Sequence, residues 1–180
     1  MQTSGWLALE LANTRLLGSP DREVDLLAGP GDLERWLRAH EEELGPVSEE
    51  TLLRLPEFRA LRDAIGALLA AVVEGRPFPV PALERVNGHA AAVPIVLRLE
   101  PGPRVVERPV RTSATAATLA AIARSAVRLL GEDAALGRCR RCGRFFPAGR
   151  AGRIWCSAGC GNRARVARHA ARRRASRSVG

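Results

Sequence analysis

The 180-residue sequence predicts an α+β chain: a predominantly α-helical body with one β-hairpin, then a small C-terminal module ending in a basic helix. Three observations carry this. Apolar residues recur at helical spacing in several stretches that end at glycine. One stretch alternates with period two around a Pro-Gly-Pro turn instead. All four cysteines fall within 22 residues, and the chain behind them is rich in arginine and free of acids.

Taken in order, "GWLALELANTR" (5–15) is a short helix or strand, and a polar loop containing Pro20 follows. Asp32 caps a helix with Leu33, Trp36, Leu37 and Leu44 on one face, stopped by Gly45. Ser48 opens a short turn. Pro56 sits where the first turn of a helix tolerates proline. Phe58, Leu61, Ile65, Leu68, Leu69 and Val72 then form a stripe that ends at Gly75. Pro81 begins a shorter helix through about His89. In "PIVLRLEPGPRVVERPV" the alternation of Ile95, Leu97 and Leu99 and the return through Val105 to Val110 give the hairpin. Ser113 caps a last body helix, striped by Leu119, Ile122, Ala126 and Leu129 and ended by Gly131. Glu132 to Gly137 reads as a hinge, which divides the chain into a body, 1–136, and a module, 137–180.

No apolar run approaches the ~20 residues of a membrane span. The N-terminal stretch carries Glu10 and has no basic leader, so a cytoplasmic protein without membrane contact is expected. Charge is lopsided. Residues 1–137 hold 15 arginines against 19 acids, whereas 138–180 hold 13 arginines and no acid. A mildly acidic body with a cationic tail points to a polyanion partner.

Cys139, Cys142, Cys156 and Cys160 are spaced as Cys-x2-Cys, thirteen residues, Cys-x3-Cys. Close pairs in a reducing compartment favour a metal over disulfides. Four thiolates suit tetrahedral Zn2+ and leave no open position for hydrolytic chemistry. An iron–sulfur cluster or a redox role ranks below one structural zinc. Gly143 frees the backbone after the knuckle. The intervening residues suggest a hairpin with Phe145, Phe146, Ile154 and Trp155 as its apolar arms. From Cys160 through Arg177 every residue except Gly161 suits a helix. Knuckle, hairpin and helix together make a treble-clef-like zinc finger, whose metal supplies stability that so small a core lacks, ~10 kcal/mol or more.

These residues carry a resemblance. "CRRC" and "WCSAGCGNR" with a basic helix behind them resemble the CGNR zinc finger family. "LALELANTR", "DLERWLRAH" and "LRDAIGALLAAVVEG" resemble the ABATE domain that precedes this finger. The resemblance implies a bacterial stress-response transcription regulator, with zinc on the four cysteines, DNA as partner, and a body that senses a small-molecule effector or mediates assembly into a homo-oligomer. It departs from the family at "PAGRAGR", where an acid is common, and near Ala170, where an aromatic is common.

In the basic helix, Ala164, Ala167, Ala171 and Ala175 form a stripe of small residues beside a row of Arg165, Arg168 and Arg172. Arg163, Arg165, Arg168, Arg172 and Arg173 are the candidate nucleic-acid contacts, able to neutralise phosphates or pair with guanine. Trp155 is expected as a core anchor under the zinc, with Gly161 and Asn162 supporting the module, Asn162 by bonding the knuckle backbone. Asn13, Thr14 and Arg15 form a cap or a buried hydrogen-bond network, or touch a ligand. No Ser-His-Asp spacing, Gly-rich phosphate loop or paired-carboxylate motif is present, so no enzyme is expected. The competing class is a structural zinc module serving protein–protein or RNA interaction.

Overall fold

The computed structural model describes residues 6–19, 22–110, 112–132, 135–149 and 152–177, and only the backbone of Trp6, Ser19 and 170–177. The chain is α+β and mostly helical, with three two-stranded antiparallel sheets among the described residues. Its elements are α1 (Trp6–Ala12), β1 (Arg15–Ser19), β2 (Arg22–Asp25), α2 (Pro30–Ala39), α3 (Glu41–Leu44), α4 (Glu49–Leu52), α5 (Leu55–Glu74) and α6 (Val80–Ala92). After them come β3 (Ile95–Leu99), β4 (Val105–Pro109), α7 (Ala114–Gly131), β5 (Leu136–Arg138), β6 (Phe145–Pro147) and α8 (Ala158–Arg177). None of the described helices is long and apolar enough to cross a membrane.

The core forms around α5. Phe58, Leu61, Ile65, Leu68 and Leu69 are at most 1% exposed and follow the i, i+3, i+4, i+7 pattern. Each such side chain contributes about 1.5–3 kcal/mol through burial. Leu11 of α1, Leu33 of α2, Val86 of α6 and Ile122 of α7 complete the same core. Pro56 sits in the first turn of α5, and Gly75 ends the helix in the left-handed region at φ +62°. Ser48 and Ser113 cap α4 and α7 by accepting from Thr51 N and Ala116 N. Ser125 of α7 accepts Ala8 N at 2.9 Å, satisfying a first-turn donor of α1 across the helix interface. The hairpin read at 95–110 is β3–β4, with Leu97 opposite Glu107.

Three expectations for the body are corrected. The loop after Arg15 is a second hairpin, with Leu16 opposite Val24 and Leu17 opposite Glu23; Pro20, the residue that suggested a loop, lies outside the described residues. Asp32 caps α2 from inside its first turn, accepting Gly29 N at 3.0 Å, and Gly29 is the N-cap residue. The helix with Leu33 does not reach Leu44. It breaks at His40, whose ring meets Trp36 edge-on at 4.5 Å, and α3 is a separate turn ended by Gly45 at φ +79°.

At the C-terminal side, Leu136 and Gly137 are not a hinge but part of β5. The strand pairs with β6 in the register Leu136–Pro147, Gly137–Phe146, Arg138–Phe145. Leu136 packs against the body core, and Phe145 belongs to that core outright.

Candidate metal centre

The knuckle Cys139–Cys142 lies in the turn of the β5–β6 hairpin. Cys139 N donates to Arg144 O at 2.8 Å and Gly143 N to Cys139 O at 2.8 Å, with Gly143 at φ +72°. The sequence suggested a hairpin with Phe145 and Phe146 on one arm and Ile154 and Trp155 on the other. Phe145 instead pairs with Arg138, and Ile154 and Trp155 lie outside any strand. The knuckle itself closes the turn, so the strands must flank it.

Successive strand side chains point to opposite faces. Phe145 enters the body core, while Phe146 packs with Cys139 and Cys160 in a second small core. Gly137, opposite Phe146, leaves the room this ring needs: a Cβ there would stand 2.9 Å from Phe146 Cζ. The second cysteine pair arrives at the head of α8. Ser157 Oγ accepts Cys160 N at 3.2 Å and Ser157 O accepts Gly161 N at 3.2 Å, which starts the helix two residues earlier than expected.

The four Sγ atoms lie within 4.8 Å of one another. Three of the separations are 3.6 Å (Cys142–Cys156), 3.6 Å (Cys156–Cys160) and 3.8 Å (Cys160–Cys142). A tetrahedron with Zn–S bonds of ~2.3 Å has edges of about 3.8 Å. A disulfide would bring two sulfurs to ~2.05 Å. The donor set and its spacing therefore fit one zinc ion. Arg141 Nε, within the knuckle, is buried without a hydrogen-bond partner among the described residues. A tetrathiolate zinc centre would carry a net charge of about −2, and a guanidinium within the knuckle has the sign to offset it.

Without metal the thiols are unequal. Burial pushes Cys139 up, but backbone N–H groups of Cys156, Cys142 and Arg141 outweigh it and bring its pKa down to about 6. Burial, with the neighbouring Cys142 and Cys160 thiols, pushes Cys156 up to about 12. Burial also raises Cys142. A lowered Cys139 thiol beside the raised Cys142 and Cys156 is a poised first ligand.

Of the supporting residues, Trp155 is half-buried beside the cysteines. Gly161 makes room for it, since a Cβ would meet Trp155 Cδ1 at 3.2 Å. Asn162 is exposed on α8. Arg163, Arg165 and Arg168 are exposed, and Arg163 folds back so that its Nη2 lies 3.5 Å from the Cβ position of Gly159. Arg172 and Arg173 lie on the α8 backbone, with side chains outside the described residues. In the small-residue stripe Ala164 is half-buried and Ala167 exposed; the side chains of Ala171 and Ala175 are also outside the described residues.

The structure adds contacts that join this module to the body. Asn13, 5% exposed, donates Nδ2 to Phe145 O at 3.0 Å and accepts Phe145 N at 2.8 Å. Leu17 N donates to Cys142 O at 2.9 Å, and Gly143 packs against the Leu17 side chain. Of the outcomes expected for the "LANTR" cluster, Asn13 takes the buried hydrogen-bond network. Beside this seam lies a cavity of about 210 Å³ lined by Arg15, Leu17, Arg62, Asp63, Arg138 and Phe145, among others.

A family model described as "ABATE: Putative stress-induced transcription regulator" matches residues 5–133. No curated protein matches the chain. The match covers most of the chain and ends just before the cysteine module. The chain therefore belongs to the ABATE family, and its four-cysteine cluster fits an ABATE protein that carries a CGNR zinc finger.

Proposed function

We propose that the protein is a zinc-dependent DNA-binding transcription regulator of the cytoplasm, not an enzyme. Residues 137–180 act as the DNA-contacting finger, and the body, 1–136, senses a small molecule or mediates assembly. The observation that carries this is the set of exposed arginines on α8, a helix fixed to the cysteine cluster through Cys160. Arg163, Arg165 and Arg168 are exposed, and 138–180 contains no acid to neutralise them. A rigid cationic helix both attracts the phosphate backbone and is of a size to enter the major groove. Zinc, when bound, supplies cohesion rather than reactivity, because four thiolates occupy every tetrahedral position. The family description supports the regulatory part of this reading. The seam cavity, bordered by both units, suits an effector whose binding is felt at the knuckle.

Fluorescence anisotropy of the zinc-loaded protein on its own promoter fragment and on a scrambled duplex, across a salt series, tests the proposal. Promoter preference that persists as salt rises, and is lost in Cys139→Ser, supports a regulator that reads sequence. Equal binding to both duplexes that salt erases reduces the module to a cationic anchor, and favours the competing protein- or RNA-binding role.

A further inference from the structure

A groove of about 400 Å³ lies at the head of α8, lined by Arg153, Trp155, Ser157, Gly161, Arg165 and Arg168, and by Ala158. Two separate elements build it. Ala158, Gly161, Arg165 and Arg168 follow one another at helical spacings of three, four and three, so they share a face of α8. Arg153 comes from the loop between the two cysteine pairs. Its guanidinium lies 4.6 Å from the Phe146 ring centroid and donates to Pro147 O at 3.3 Å, which steadies a long side chain at the rim.

None of these three arginines has an acidic partner among the described residues. Several of the body's arginines differ: Arg15, Arg62 and Arg128 each hold a carboxylate. The half-buried Trp155 lines the groove, and the groove's hydroxyl, Ser157 Oγ, already accepts Cys160 N. Three guanidiniums around such a seat suit a compact tetrahedral anion better than a base edge, which requires side chains projecting from a convex surface. Arg163 is not part of it, because it folds toward Gly159 on another side of the helix.

We propose that this groove seats a backbone phosphate of duplex DNA, and that Arg153, outside the helix, is one of its contacts. The proposal rests on the DNA-binding reading above and deepens it. Phosphate contact here fixes the orientation of α8 on the duplex and carries no sequence information itself. The cysteine cluster assembles the seat, since Arg153 precedes Cys156 while Arg165 and Arg168 follow Cys160. Loss of the metal should separate the two halves.

The test measures binding of the full chain to a fixed duplex from 50 to 400 mM salt, zinc-loaded and after chelation, for the wild type, Arg153→Ala, Arg165→Ala and Arg98→Ala. Arg98 is an exposed arginine of the β3–β4 hairpin and serves as a charge-loss control. Losing one phosphate contact lowers the salt slope by about 0.9, an affinity loss of about eightfold at 0.1 M salt. The expected result is that loss for Arg153→Ala and for Arg165→Ala in the zinc form, with Arg98→Ala unchanged. After chelation Arg153→Ala should match the wild type. Because Arg165 lies on an exposed helix face, its variant reports on the groove even if Arg153→Ala disturbs Phe146. The seat is overturned if wild-type binding is intact but Arg153→Ala behaves as Arg98→Ala, or loses equally with and without zinc. It is also overturned by preference for a single strand over the duplex. If the zinc-loaded wild type binds no DNA at low salt, the DNA reading falls and the seat with it.

Discussion

Asn13 and Phe145 are 132 positions apart, yet the Asn13 side-chain amide pairs with both backbone groups of Phe145, much as a neighbouring strand would. The pair is buried, so neither backbone group of Phe145 has water as a substitute.

Replacing Asn13 by Ala leaves a buried donor and a buried acceptor unpaired. Each costs about 1–3 kcal/mol, so a loss of about 2–6 kcal/mol is expected in urea unfolding. The exposed Asn87→Ala on α6 should shift the midpoint little.

Zinc uptake should release protons and strengthen as pH rises. All four sulfurs bind as thiolates. Cys139, brought to about 6, is already ionised at neutral pH, whereas Cys156, pushed up to about 12, must surrender its proton to the metal. Competition with a colorimetric chelator at pH 6, 7 and 8 should show affinity rising throughout, with fewer than four protons released at pH 7. Cys156→Ser should bring zinc below one per chain.

Gly143 joins the knuckle to the body in a conformation that side chains disfavour. At φ +72°, with Leu17 Cγ 3.2 Å from a would-be Cβ, Gly143→Ala should destabilise the protein by about 1–3 kcal/mol. Gly88→Ala in α6, where nothing lies within 4 Å, should instead be neutral or gain up to about 1 kcal/mol. Thermal unfolding of the two variants distinguishes the sites.

The Arg62 side chain is 4% exposed and bonded to both oxygens of Asp25, at 2.5 and 3.0 Å. Burial pushes the Asp25 carboxyl up, but the Arg62 bonds and Leu27 N–H outweigh it and hold the carboxyl below its usual range. A carboxylate lowered in the folded state stabilises above its unfolded pKa of about 4 and loses that contribution as pH falls further. Asp25→Asn should therefore cost about 2 kcal/mol at pH 7. Its difference from the wild type should shrink below about pH 4 when unfolding is followed by circular dichroism.

The long helices were legible because their signals are local. Pro56, Gly75 and Ser113 mark ends by conformational preference and capping, and the stripe of α5 repeats over about four turns. The cysteine spacing likewise disclosed the ligand set, since four thiols in this order have few other uses. The β1–β2 hairpin was not legible. Its strands are five and four residues long, and the Leu17 N–H bonds Cys142 O, far along the chain. The break at His40 has no such local mark, because Leu44 continues the apolar spacing beyond a turn that the backbone does not follow. Nor could spacing show that Arg138, not Trp155 or Ile154, faces Phe145. That register depends on the knuckle's own hydrogen bonds.

The two adjacent phenylalanines of β6 also set a reading frame. Phe145 belongs to the body and Phe146 to the cysteine cluster only because a strand alternates. One residue inserted or deleted between Cys142 and Phe145 would exchange their destinations, taking a ring from each core at once. Loops elsewhere on the surface can drift in length over evolutionary time. The two-residue spacer Gly143–Arg144 cannot, and genes that carry this junction should keep it free of insertions and deletions even where the residues themselves change.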